Sequence, residues 1–362
     1  TLFFLIALSL FIYFLLPLLV LAQTSTWKGT TIWESSYLSA VSVGDFDITN
    51  SGDEIAVLSH FEAFVAMLTR SGGSWTSTTM VRGLFYGVSI GDVDPIYAGN
   101  EVVVVGRLDG FGYALMLRGA GASWTYEEIS SFEFGEFFDV AIGDFDPTHA
   151  GNEVAISGAG AIIEVFTDGF GFWTVKSLKN MTNVSGMGIA IGDFDQSNSG
   201  NEIVVVRDDH QVVELYRSGG SWLFRGMWLD ASVGYDVVVG DIEADHSGDE
   251  VVVSGERVTM LSGNGGNWVA TTLWPHQARG LAIGDFYSQD RGNELVVTGD
   301  HTVVMLYGGG GAPWRASEIW ADKDPFSFID FPEWPTNVAV GDFDPDHDGN
   351  EIAVVDGDTS TF

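Results

Sequence analysis

Gly341-Asp342-Phe343-Asp344-Pro345-Asp346-His347-Asp348-Gly349-Asn350-Glu351-Ile352 is the stretch from which the architecture follows. It recurs seven times, the other copies starting at Gly44, Gly91, Gly143, Gly192, Gly240 and Gly284. In each copy an Asp follows the first Gly, a second Gly stands seven residues beyond that Asp, and a Glu two further on. Successive starts are 47, 52, 49, 48, 44 and 57 residues apart. A fixed period in this range marks a repeat architecture, in which one unit cannot bury its apolar face alone and stacks on its neighbours.

Each copy lies between two apolar, strand-like runs. In the fourth, Gly186-Met187-Gly188-Ile189-Ala190-Ile191 precedes the loop and Glu202-Ile203-Val204-Val205-Val206 follows it. Two more strands complete the unit, Gln211 to Tyr216 and Trp222 to Met227. The residue before each loop Gly is always Val or Ile, and the one before that is mostly small: Ser42, Ser89, Ala141, Ala190, Val238, Ala282 and Ala339. This suits an innermost strand, where sheets converge on an axis. The second strand is apolar on both faces, as a strand covered on both sides should be. The fourth is the most polar and reads as an outer edge. No segment carries a 3.6-residue apolar period, so the chain reads as all-β.

A second marker keeps time with the first. Trp27, Trp75, Trp124, Trp173, Trp222, Trp268 and Trp314 recur at 46 to 49 residues, most of them after a Gly-rich turn. They read as structural residues after a hairpin, packing between repeats. Together these features predict a seven-bladed β-propeller of four-stranded blades. The N-terminal stretch Thr26 to Trp33 would supply its last outer strand, and Asn337 to Val355 the inner strands of an incomplete last blade.

Net charge is −35, and 26 of the 50 acidic residues fall in the seven ten-residue loops. Such a balance argues against nucleic acid and anionic membrane surfaces as partners. There is no Cys, which excludes disulfides, thiolate metal sites and a Cys nucleophile. Leu2 to Ala22 is almost unbroken apolar sequence ending Val20-Leu21-Ala22-Gln23. It reads as a signal peptide over residues 1–22, lacking its start, with an uncleaved anchor as the other reading. Either places residues 24–362 outside the cell, secreted or at its surface, with membrane attachment only through that segment.

The repeat resembles the FG-GAP and VCBS families, including the propeller of integrin α chains. The resemblance covers roughly residues 24 to 362 and implies Ca²⁺ bound by the loops between first and second strands. Hard oxygen donors, a glycine-assisted turn and a terminal Glu suit that ion. The implied ligands are Asp342, Asp344, Asp346 and Glu351, with Asp348 as an extra, and Asp241, Glu243, Asp245 and Glu250. Four further sets follow: Asp45, Asp47 and Glu54; Asp92, Asp94 and Glu101; Asp144, Asp146 and Glu153; Asp193, Asp195 and Glu202. The sixth loop has Tyr287 in place of a second acid and keeps only Asp285 and Glu294. These loops are one residue longer than the family pattern. A competing reading has the Asp residues capping turns through their own side chains.

Catalytic signals are sparse, and no recognisable catalytic set stands outside the loops. His60, His210 and His301, with Arg107, Arg207, Asp208, Asp209 and Asp300, fall in turns between second and third strands. Connections on the same face carry Phe85, Tyr86, Phe132, Phe134, Phe137, Phe138 and Tyr235, and the last adds Phe326, Phe328, Phe331 and Trp334. A ligand is expected on that face, because loops on a rigid scaffold carry function. The reading is a protein- or glycan-binding or adhesion module rather than an enzyme. The alternatives are a polysaccharide-active lyase or sugar dehydratase and a structural subunit of an extracellular assembly.

Overall fold

The computed structural model describes residues 27–35, 37–108, 111–132, 135–167, 171–230, 233–287, 292–299, 302–309, 312–321, 335–347 and 349–356. The apolar segment over residues 1–22 lies outside them. The chain divides into a short unit, Thr1–Thr30, and a body, Thr31–Phe362. The described part of the short unit, residues 27–30, has neither strand nor helix.

The body is all β. Four sheets have four antiparallel strands in chain order. They are β1 (Leu38–Gly44) to β4 (Ser74–Arg82), β5 (Phe85–Gly91) to β8 (Ser123–Phe132), β15 (Val233–Gly240) to β18 (Asn267–Trp274), and β19 (Leu281–Gly284) to β22 (Ala312–Ala321). Each runs, as expected, from an inner first strand through a largely buried second to a mostly exposed fourth. β2 (Glu54–Ser59) is buried at every residue, whereas β4 is mostly exposed.

Blade number needs correction: among the described residues four complete four-stranded blades are found, not seven. The third and fourth repeats share one six-stranded sheet, β9 (Phe137–Gly143) to β14 (Ser221–Leu229). The cause is strand continuity. β10 (Glu153–Thr167) runs through the point where other repeats turn, and β11 (Trp173–Gly192) runs from one repeat into the next. β11 therefore pairs with β10 up to Ser185 and with β12 (Glu202–Arg207) from Gly186. Among the described residues the last sheet consists of β23 (Pro335–Gly341) and β24 (Glu351–Asp356). The expected N-terminal outer strand is absent, since described residues 27–35 form no strand. Instead Ile32 and Trp33 pack as irregular chain on the apolar cluster shared by the first and last sheets.

The core lies between sheets. One cluster joins Ala56, Leu58 and Met67 to Val102, Val104 and Leu115 of the next sheet, and another joins Ile55, Val57 and Phe64 to Phe343, Ala353 and Val355. Inner strands pack in succession, β1 on β5, β5 on β9, β9 on β11, then β15, β19 and β23, and β23 packs on β1.

Two loop residues explain this stacking. A Cβ built on Gly44, Gly91, Gly143, Gly192, Gly240, Gly284 or Gly341 would lie 2.3 to 3.1 Å from Ile90, Ile142, Ile191, Val239, Ile283, Val340 or Val43, respectively. Each loop Gly is thus the socket for the β-branched residue of the following repeat, and Gly341 against Val43 joins last to first. The apolar residue after the first loop Asp receives the next repeat's Trp. Phe46 meets Trp124 edge-on at 5.8 Å, Phe145 meets Trp222 at 5.8 Å, and Phe343 meets Trp75 at 6.0 Å. Such pairs contribute about 0.5–1.5 kcal/mol each beyond the area they bury.

Candidate functional site

The acidic loops divide their carboxylates among separate tasks. The terminal Glu folds back onto its own loop. Glu54 Oε2 accepts the N–H groups of Phe46 (3.1 Å) and Asp47 (2.8 Å), and Glu101, Glu153, Glu250 and Glu351 take the equivalent pair. Glu202 accepts Asp195 N–H at 3.0 Å. Glu294 does the same in the loop without a second acid, accepting Phe286 and Tyr287 N–H at 2.8 and 3.1 Å. Burial pushes Glu54, Glu153 and Glu250 up to about 7 and Glu202 up to about 8.

The second acid caps a turn. Asp47, Asp94, Asp146, Asp195 and Asp344 each accept, through Oδ1, the N–H two residues on, at 3.0 to 3.1 Å. Asp47, Asp94, Asp146 and Asp195 are buried. The first acids, Asp45, Asp92, Asp144, Asp193, Asp241 and Asp342, are exposed, as are Asp245 and Asp346. Backbone carbonyls of the first acids serve the next repeat: Asn100, Asn152 and Asn201 donate from Nδ2 to Asp45, Asp92 and Asp144 O at 2.7 to 2.9 Å. Asp249, Asn293 and Asp53 N–H donate to Asp193, Asp241 and Asp342 O at 3.0 Å. The second loop Gly has φ between 90° and 108° in all seven loops, which explains why Gly occupies it.

One oxygen of each terminal Glu, and one of each capping second Asp, is thus engaged with loop backbone. Among the described residues only Asp146, His149 and Glu164 bring three such ligand atoms within 4.8 Å of one another, so none of the sets read from the sequence is gathered at that spacing. Basic side chains also reach the second acids. Arg70 pairs with Asp344 and Asp346, Arg118 approaches Asp94 at 3.9 Å, Lys176 and Arg217 pair with Asp146, and Arg225 pairs with Asp195. In the fifth loop the ion-pair partner is His246, 2.8 Å from Glu243.

The opposite end of the inner strands is built differently. A cavity of about 230 Å³ is lined by all seven first-strand segments, from Ser39 to Asn337. Tyr86, Phe138 and Tyr235 line it, as does Met187. His60 stacks on Tyr86 at 4.6 Å, and Phe138 meets Tyr86 edge-on at 5.8 Å. Phe61, 71% exposed, packs on Tyr37 at 4.7 Å beside them. Arg279 lies over the Tyr235 ring at 5.1 Å, a cation–π contact.

Two carboxylates enter this cavity. Asp139 Oδ1 accepts Val140 N–H and its Oδ2 accepts Ile189 N–H of the next inner strand, both at 2.9 Å. Asp236 repeats the arrangement with Val237 (2.8 Å) and Leu281 (2.9 Å). Inner strands have unpaired N–H groups along the axis, and these side chains satisfy some of them. Burial, and after it the charge of Asp236, pushes Asp139 up to about 7, and burial pushes Asp236 up to about 6.

Neither Asp stands out in the loop pattern. The signal that marks them is the residue four before each loop Gly, which reads Ala40, Gly87, Asp139, Gly188, Asp236, Gly280 and Asn337. The backbone of Asp139, Asp236 or Asn337 fills the space beside the preceding Gly, 2.8 to 3.2 Å from where a Cβ would be. Of the aromatic residues expected on this face, Phe85 and Phe137 are instead buried core. Arg207 pairs with Asp209 at 2.6 Å, and Asp208 accepts Ser185 N–H. Asp300, His301, Phe134, Phe326, Phe328, Phe331 and Trp334 lie outside the described residues, as does the Phe132 side chain.

No protein-family model matches the chain, and no curated protein does. Solved structures match over most of its length. BBS1N, solved in complex with ARL6DN, aligns with a TM-score of 0.59 at 11% identity, over 92% of this chain and 94% of that one. The BP39L lectin from Burkholderia pseudomallei aligns with a TM-score of 0.62 at 13% identity, over 82% of this chain and 90% of that one. At these identities the likeness concerns the fold, and with the stacked four-stranded sheets it makes this chain a β-propeller.

Proposed function

We propose that the chain is an exported binding module of FG-GAP or VCBS type that takes glycan at the axial cavity. The observation that carries this reading is the convergence there of Tyr86, Phe138 and Tyr235 with Arg279, Asp139, Asp236 and Asn337. Aromatic faces stack on the apolar face of a sugar ring while a few placed polar groups fix its hydroxyls. The two carboxylates each accept two backbone N–H groups, which suits a scaffold more than an acid–base pair. One of the similar structures is a lectin and the other was solved with a protein partner. A protein ligand is the second reading, favoured by exposed Phe61, Leu108 and Phe111 on the turns after second strands. Calcium belongs to this proposal at the fifth loop, whose acids Asp241, Glu243, Asp245 and Glu250 pair with no Lys or Arg among the described residues.

A glycan array followed by calorimetry on the best hit tests the reading. Tyr86→Ala and Tyr235→Ala should each weaken binding at least tenfold with little change in melting temperature, stacking losses being about 1.4 kcal/mol or more. No glycan hit, or a hit indifferent to both substitutions, contradicts it. Release of unsaturated uronate, read by absorbance, would establish the lyase alternative instead.

A further inference from the structure

We infer that this chain neutralises four of its acidic loops, the second, third, fourth and seventh, with its own basic side chains, and that Lys176 and Arg225 occupy the places a divalent ion would take in the third and fourth. Five of the 15 Lys and Arg residues, Arg70, Arg118, Lys176, Arg217 and Arg225, reach loop carboxylates. In a chain of net charge −35 that is a large share of the available cations.

Strand register sharpens the case. One position on the third strand faces one on the fourth in the six repeats whose third and fourth strands are described. The pairs are Met67 with Thr78, Met116 with Glu127, Glu164 with Lys176, Glu214 with Arg225, Met260 with Thr271 and Met305 with Ser317. A carboxylate enters the third strand only in the two repeats where a cation stands opposite. Both Glu164 and Glu214 are fully buried, as are Asp146 and Asp195. Lys176 Nζ lies 3.0 Å from Glu164 and 3.3 Å from Asp146. Arg225 holds Glu214 with two nitrogens at 2.7 Å and also pairs with Asp195.

The cluster nearest to a metal geometry, Asp146, His149 and Glu164, thus already contains an ammonium group bridging two of its members. A divalent ion placed there would meet that like charge, and Arg217 beside it. Lys176 is partly exposed, but its carboxylate partners are buried, so removing the cation leaves uncompensated buried charge, whereas replacing both partners with apolar or neutral groups is tolerated. The Met–Thr pair of the first and fifth repeats shows which replacement fits this register.

The test is thermal unfolding of the full chain in EGTA with three variants, plus bound calcium by elemental analysis. Lys176→Met should lower the melting temperature by roughly 5 to 10 °C. Glu164→Met/Lys176→Thr should melt near the wild type, which keeps the comparison informative where the single variant does not fold. Asp146→Asn should leave the calcium content of the protein, dialysed against calcium, unchanged. A Lys176→Met protein as stable as wild type, a double variant as damaged as the single one, or a loss of bound calcium in Asp146→Asn would each overturn the inference.

Discussion

Carboxylates crowd both ends of the inner strands, yet they are used differently. At the loop end the same acids recur, apart from Glu243 and Tyr287 at the second position, and so do their bonds: the terminal Glu to its own loop backbone, the second Asp to a turn, the first Asp's backbone carbonyl to the neighbour. At the axial end, acids occur in two repeats and Gly in three at the same register position. That inequality opens a cavity lined by dissimilar groups. Repetition marks construction, and departure from the repeat marks the place where one ligand can be told from another.

The largest effect expected at the loop end follows loss of the terminal Glu. Glu54→Ala removes the acceptor of two buried N–H groups and should destabilise by about 3 kcal/mol, read by chemical denaturation. Next comes the socket at which the last repeat meets the first. Gly341→Ala places a methyl group 2.3 Å from Val43 and should cost about 1–3 kcal/mol through overpacking. Gly349→Ala would test a different property of glycine, its φ of 108°, and does not substitute for that comparison.

The smallest effect is a pH dependence at the axial end, in a window that the loop residues Glu54, Glu153 and Glu250 share, so a substitution must isolate it. The folded pKa of Asp139, about 7, and that of Asp236, about 6, lie above the ordinary Asp value of 3.8. The folded protein therefore holds protons that the unfolded chain has released. The stability these groups contribute is full below 3.8 and is lost as pH rises through about 6 to 7. Asp139→Asn should flatten the fall in melting temperature across that window. An unaltered profile would show that the axial acids do not titrate there.

Much of the loop end was legible. The period and the turn Gly could be read from Gly341 to Ile352 and its copies, and the strand order from the runs and the Trp series between them, because one local pattern repeated seven times overcomes the weakness of any single propensity. Blade number was not, because it depends on where strands end. Trp173 to Gly192 continues as one strand through a connection that other repeats break, and no local residue type announces this. The partners of the loop acids are far away in sequence. Arg217 stands 71 residues from Asp146, and Gly121 N–H, which donates to Asp47 at 2.7 Å, stands 74 residues away. The axial Asp residues were visible as an alternation with Gly, but only once register had shown that the positions share one axis.

Glu294 allows the most direct test of the claim that loop acids are there to hold backbone and neighbour. It lies in the one loop whose second acid is Tyr287, yet it accepts the same two N–H groups as Glu54 does in a full loop. Unfolding free energies of Glu54→Ala and Glu294→Ala, measured side by side with calcium and in EGTA, should fall by equal amounts in both. A Glu294→Ala protein as stable as wild type, beside a Glu54→Ala loss that disappears once calcium is chelated, would contradict the account.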